Sequence, residues 1–181
     1  IWGYKTDGYW SSREEYLQYK KDNPGYKSFN DGKVSGGDIR YVSQGKADHE
    51  IGVGSGTLSD TGDLVYLGNT DPRYLYGLNL SAQWRGFDIS VMFQGVGKRT
   101  IYREIDSWKV PFKAIWLNTT NQSVGNVWSP ETPNNHFPTY SNSNDINNYN
   151  YIPSTWSADN GAYLRLKEIV LGYTLPKAWM N

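Results

Sequence analysis

Two histidines, His49 and His136, are the chain's whole imidazole complement, and it has no cysteine. With neither thiolates nor an HExxH pattern, the residues for a zinc centre are missing. The run GVGSGT at Gly52 to Thr57 has the glycines of a phosphate loop, but no Lys-Ser/Thr follows it and no strand-to-helix setting surrounds it, so it reads as flexible loop. Glu104 with Asp106, or Glu131 with Asp145, are the residue types of a glycosidase pair. Sequence fixes no separation between them, and surface charge is the plain reading. No catalytic residue, metal site or cofactor is therefore expected. Recognition chemistry is better supplied. Between Leu117 and Tyr151 ten residues are Asn, with Trp128, Tyr140, Tyr149 and Tyr151 interleaved. Flat rings stack on sugar faces, and amides both donate to and accept from hydroxyls. Those four rings are candidate substrate contacts; the competing reading is that Asn and Tyr satisfy and pack their own loop.

The elements that must position such residues are clearest in YLYGLNLSAQWRGFDISVMFQ, Tyr74 to Gln94. Tyr74, Tyr76, Leu78, Leu80, Ala82 and Trp84 form an apolar row alternating with Gly77, Asn79, Ser81 and Gln83; Leu75 is the exception. After Arg85-Gly86 the parity inverts: Phe87, Ile89, Val91 and Phe93 are apolar, Asp88, Ser90 and Gln94 polar. Period-two alternation broken by a tight turn predicts a β-hairpin. Each arm has about the length a tilted strand needs to cross a bilayer, and aromatic residues stand at both ends of the apolar rows, as in the girdles of transmembrane barrels. A soluble β-sandwich would show the same alternation on its inner face. A last patterned stretch, Ala162 to Leu175, has Leu164 and Leu166 in one parity and Ile169, Leu171, Tyr173 and Leu175 in the other. Either a bulge near Lys167-Glu168 accounts for the switch, or only the second half crosses the bilayer.

The rest of the chain is connection. Ile1 to Trp10 reads as a strand end and a turn at Asp7-Gly8. Ser11 or Ser12, with Glu14 or Glu15, caps a short helix that Asn23-Pro24-Gly25 stops. Residues 26–71 are loop with one or two small strands, and 95–161 is a second long connection with helical character near Ile101 to Trp116. One tight turn set against two connections of more than sixty residues matches the short periplasmic turns and long outer loops of an outer-membrane barrel. Formal net charge is zero, from 18 basic and 18 acidic residues, so no nucleic-acid footprint is expected. No run of about 18 apolar residues is present, so no helix spans a membrane. The opening IWGYKTDGYW is not a charged-then-apolar leader, and an exported protein would carry this chain as an internal piece.

On these residues the chain resembles a known family. RYLYGLNLSAQWRGFDISVMFQGVGKR is similar to a late hairpin of SusC/RagA-type TonB-linked outer-membrane proteins of Bacteroidetes. AYLRLKEIVLGYTLPKAW is similar to the strand that follows a long loop there, GYKTDGYWSSREEY to a segment entering an outer loop, and NVWSPETPNNHFP to a loop motif before the last strands. GDIRYVSQGKADHE keeps Gly37, Asp38, Ile39 and Tyr41 but lacks the acidic ladder that often follows in the family, which leaves no basis for a calcium site. The resemblance implies an all-β fold: late antiparallel strands of a large transmembrane barrel with long extracellular loops and a short helix near the N-terminus. It implies one barrel domain, divided into outer loop (1–73), transmembrane hairpin (74–95), outer loop (96–161) and transmembrane strand (162–176), with plug and TonB contact elsewhere. Tyr76, Leu78, Leu80, Trp84, Phe87, Ile89, Val91, Phe93, Ile169, Leu171 and Tyr173 would then face outer-membrane lipid, while Asn79, Ser81, Gln83 and Asp88 line a wet lumen and touch cargo. The implied activity is import of an oligosaccharide, or in some members a peptide, with a SusD-like surface lipoprotein as partner and TonB as energy source. A soluble carbohydrate-binding β-module and a secreted glycoside hydrolase are the competing classes.

Overall fold

The computed structural model describes residues 1–44, 50–102, 121–140 and 144–176. Its architecture is antiparallel β with few helices, and it divides into two compact units: residues 68–101 with 160–181, and residues 1–67 with 102–159.

The first of these is a three-stranded antiparallel sheet in the order β5-β6-β9, of strands β5 (Arg73–Trp84), β6 (Phe87–Lys98) and β9 (Tyr163–Tyr173). Trp84 pairs with Phe87 across a two-residue turn. Arg85 and Gly86 both take positive φ, 47° and 87°, the type I′ geometry that matches strand twist. Glycine and asparagine suit that geometry, whereas arginine in the left-handed region costs about 1 kcal/mol. The parity inversion in the sequence has a simple result. Leu78 lies opposite Phe93, Leu80 opposite Val91 and Ala82 opposite Ile89, so the two apolar rows share one face.

β9 extends that face by means of a bulge. Phe87, Ile89 and Val91 pair with Tyr173, Leu171 and Ile169; the register then slips between Met92 and Phe93, and Phe93 meets Leu166. Lys167 is the extra residue. Without the bulge a regular ladder would put Leu164 and Leu166 on the polar side; with it Leu164, Leu166, Ile169, Leu171 and Tyr173 share one surface. The expected bulge is therefore what the register shows, and the partial-crossing alternative is not needed. Gly95 serves the same face: Tyr76 lays its ring where a Cβ at Gly95 would stand.

The second unit is built from β1 (Trp2–Tyr4), β2 (Thr6–Tyr9), α1 (Arg13–Asp22), β3 (Ile39–Tyr41), β4 (Leu64–Tyr66) and α2 (Asn144–Asn150). β1 pairs with β4 and β2 with β3, both antiparallel. At the start of α1 Ser12 is the N-cap and accepts from Glu15 N at 3.1 Å, while the Glu15 carboxylate takes the N–H of Ser11, one residue before the cap, at 2.7 Å, a variant of the capping box expected from the sequence. Asn23 ends the helix, its side-chain amide donating to Tyr19 O at 2.9 Å. The core is aromatic: Tyr4, Trp10, Tyr16, Tyr26, Tyr41 and Tyr149 cluster with Val34, Ile39 and Ile51. Neighbouring rings meet edge to face, such as Trp10 with Tyr16 at 5.1 Å and Tyr41 with Tyr149 at 5.1 Å, the arrangement their quadrupoles favour. β7 (Thr100–Tyr102) and β8 (Ala158–Asn160) form a further short pair. The helical character expected near Ile101 to Trp116 falls mostly outside the described residues. α2 was not foreseen, because an Asn-rich run is a poor helix former with no apolar period.

Candidate functional site

The site is the β5-β6-β9 sheet, whose faces carry opposite chemistry. On one side lie rows of cross-strand neighbours: Trp84, Phe87 and Tyr173; Ala82, Ile89 and Leu171; Leu80, Val91 and Ile169; Leu78, Phe93 and Leu166; Tyr76 and Leu164 about Gly95. All the residues expected on a lipid face lie here. Leu80 is 52% exposed and Leu171 74%, so among the described residues no second layer lies on the face. A soluble sandwich would bury it. From Tyr74 to Trp84 the strand rises ~33 Å, and at ordinary barrel tilt this is ~25 Å along the membrane normal, the height of an outer-membrane apolar band. At its turn end the Phe87 and Tyr173 rings meet at 4.4 Å; at the other end Tyr76 donates its hydroxyl to Tyr163 O. Among the described residues no helix is long and apolar enough to cross a membrane, which says nothing of strands.

The opposite face carries the sheet's polar side chains, interspersed with Leu75, Met92, Val96, Tyr163 and Val170. Gln83 lies opposite Asp88, Ser81 opposite Ser90, and Gly77 opposite Gln94, so Asn79, Ser81, Gln83 and Asp88 come together on one surface as expected. β9 adds Arg165 opposite Gln94, donating to its amide oxygen at 3.1 Å, and Glu168 opposite Met92. Sequence reading missed these two charges because the bulge hides their parity.

The ring candidates of the second connection are placed differently. Tyr149 is 1% exposed, its hydroxyl donating to Ile39 O at 2.5 Å. Trp128 and Tyr151 are buried and Tyr140 is half-buried. Trp128 covers Gly37, whose φ of 81° and lack of Cβ let the indole and Thr139 close on it. In this structure these rings pack their own body. The pair turned to the surface is one the sequence did not single out: exposed His136 stacks on half-buried Trp156 at 5.4 Å and 20°. Trp156 Nε1 is held by His136 O at 3.0 Å, and Tyr9 donates to the same carbonyl.

Two long segments meet at Asp38. Its carboxylate accepts from Asn150 Nδ2 and from Ser35 N, each at 2.8 Å, while Asn150 Oδ1 accepts from Ile39 N at 2.8 Å. Burial pushes the Asp38 carboxyl up to about 6, against those hydrogen bonds, which pull it down. Asp31, paired with Lys20 and hydrogen-bonded by Tyr16, lies below its ordinary value: burial opposes, but those partners outweigh it. No cluster of three or more metal-binding side chains occurs among the described residues.

No family profile matches the chain. It is 26% identical over 178 residues to "TonB-dependent receptor P26" of Formosa agariphila, covering 96% of this chain and 15% of that protein. It is also 26% identical over 128 residues to "TonB-dependent receptor P3" of the same organism, covering 71% of this chain and 12% of that one. The chain thus spans about one-seventh of the length of these curated relatives. At that level its sequence is similar to a section of a TonB-dependent receptor.

Proposed function

We propose that the chain is a section of barrel wall and outer loops in a TonB-dependent outer-membrane importer of SusC/RagA type, that its cargo is an oligosaccharide, and that a SusD-like lipoprotein covers the outer mouth. The observation that carries this reading is the apolar face of β5, β6 and β9, uncovered across five rows and backed by a polar face. Only lipid on one side and water on the other satisfy such a sheet in bulk. Asn79, Ser81, Gln83, Asp88 and Arg165 then line the channel, the rings of residues 121–159 hold an outer body together, and His136 with Trp156 offer the ring surface a sugar would meet first. The protein moves its cargo without altering it.

The test is uptake. Cells lacking the full-length receptor fail to accumulate fluorescent oligosaccharides, and both the receptor gene and an intact TonB are needed to restore them. Restoration without TonB, or hydrolysis of the glycan by the purified receptor, contradicts the proposal. A soluble carbohydrate-binding module has no use for an uncovered belt and is not favoured.

A further inference from the structure

At the turn end of the belt the apolar surface is not flat. Ala82 is the smallest residue of its row, and between the Trp84, Phe87 and Tyr173 rings it leaves a hollow of about 370 Å³, floored by Ile89 and Leu171. That is the size of a small-molecule site. A second, polar hollow of about 300 Å³, lined by Gln83, Arg85 and Thr174, shares Trp84 and Phe87 with it. Arg85 lies over the Trp84 ring, its guanidinium carbon 5.0 Å from the centroid, and among the described residues no carboxylate forms an ion pair with it. Asp88 lines both hollows, but turns its carboxylate toward Gly172 on the polar face. The turn would form more readily with asparagine or glycine at position 85, since φ there is 47°. A greasy slot with an unpaired cation at its rim is complementary to a molecule with an acyl chain and an anionic headgroup.

We infer that this turn carries a phospholipid site in the leaflet nearest the short turn, with one acyl chain in the Ala82 hollow and the phosphate on Arg85. The inference rests on the belt facing lipid. Arg85 supplies a planar donor fork for phosphate oxygens, the Trp84 ring holds it in place, and the three rings grip the chain at interfacial depth.

The experiment uses the full-length receptor folded into phosphatidylcholine vesicles doped with phosphatidylglycerol or with diacylglycerol of the same chains, extracted gently and weighed by native mass spectrometry. Both phospholipids stay bound in preference to diacylglycerol. Arg85→Asn, which suits the turn, lowers phospholipid retention by about fivefold, the order expected for losing one partly solvated charge-assisted contact. Arg85→Lys, which keeps the charge without the planar fork, retains an intermediate amount. Ala82→Phe fills the hollow and lowers all three lipids. Equal retention of diacylglycerol, or no change in Arg85→Asn, overturns the site. So does inorganic phosphate displacing the lipid and binding Ala82→Phe as well as wild type, which would make the turn an anion site alone. Heat-modifiable gel migration reports separately whether the barrel has folded: a folded receptor without headgroup preference sinks the lipid site only, whereas one that never inserts sinks the barrel reading.

Discussion

At the scale of single residues, the aromatic-cored body depends on a buried carboxylate that is costly to ionise. Asp38 is 1% exposed, and its carboxyl is raised from 3.8 to about 6. A raised acid favours the fold below its unfolded value and loses that advantage as pH climbs to the folded one. Between pH 3.8 and about 6, Asp38 therefore withdraws on the order of 2–3 kcal/mol from the body around it, and nothing more above that window. Asp31 acts in the opposite sense, its contribution lost as pH falls through its lowered value. Amide exchange of residues 35–41 in the full-length protein, corrected for intrinsic rate, should loosen across this window in wild type, and that slope should vanish in Asp38→Asn; an unchanged slope assigns it elsewhere. Asn150→Ala strands Asp38 Oδ1 and the Ile39 N–H, and should cost about 2–4 kcal/mol, read as faster proteolysis within residues 1–44 and 121–159 of the full-length protein. Little of this was legible. The sequence marked Asp38 within a familiar GDI motif, but 112 residues separate it from Asn150, and no local pattern reports so distant a partner. For the same reason Tyr149 read equally well as a sugar platform or as core.

Elements were far more readable, because a strand writes its faces into the sequence at period two. The hairpin, its turn and its two faces follow from Tyr74 to Gln94 alone; the far end of β6, which runs on to Lys98, does not. Leu80→Arg, on the apolar side, is expected to cost about 2–4 kcal/mol of barrel stability near the midplane, while Ser81→Arg, one residue along and on the other face, costs much less. Equal tolerance in urea titrations of the refolded receptor would count against two different environments. The bulge gives a sharper test. Deleting Lys167 alone leaves Leu166 beside Glu168 in strict alternation and keeps Leu164 and Leu166 on the apolar side, whereas deleting Lys167 and Glu168 together moves them to the polar side and Arg165 to the apolar one. Folded yield in vesicles should therefore fall more for the double deletion than for the single one. Comparable yields would mean the register can slip without consequence.

For the whole molecule, the division into a sheet and an aromatic-cored body accounts for why composition alone was ambiguous. The chain has 15 Tyr and 8 Trp, and among the described residues such rings serve two purposes that composition cannot separate, flanking the apolar face of the sheet and filling a small core. Separated from the remaining strands, the β5-β6-β9 sheet keeps both edges open and its apolar face wet. The isolated chain should therefore precipitate from aqueous buffer on removal of denaturant and stay dispersed in detergent micelles; a monodisperse monomer in plain buffer would contradict the uncovered belt. The most direct measurement is site-directed spin labelling of the full-length receptor in vesicles, one position at a time. Labels at Leu80 and Ile169 should relax with lipid-dissolved oxygen and ignore a water-soluble nickel reagent, and labels at Ser81 and Ser90 should do the reverse. Nickel access at Leu80 and Ile169, or protection of all four positions from both reagents, would contradict a wall between lipid and channel.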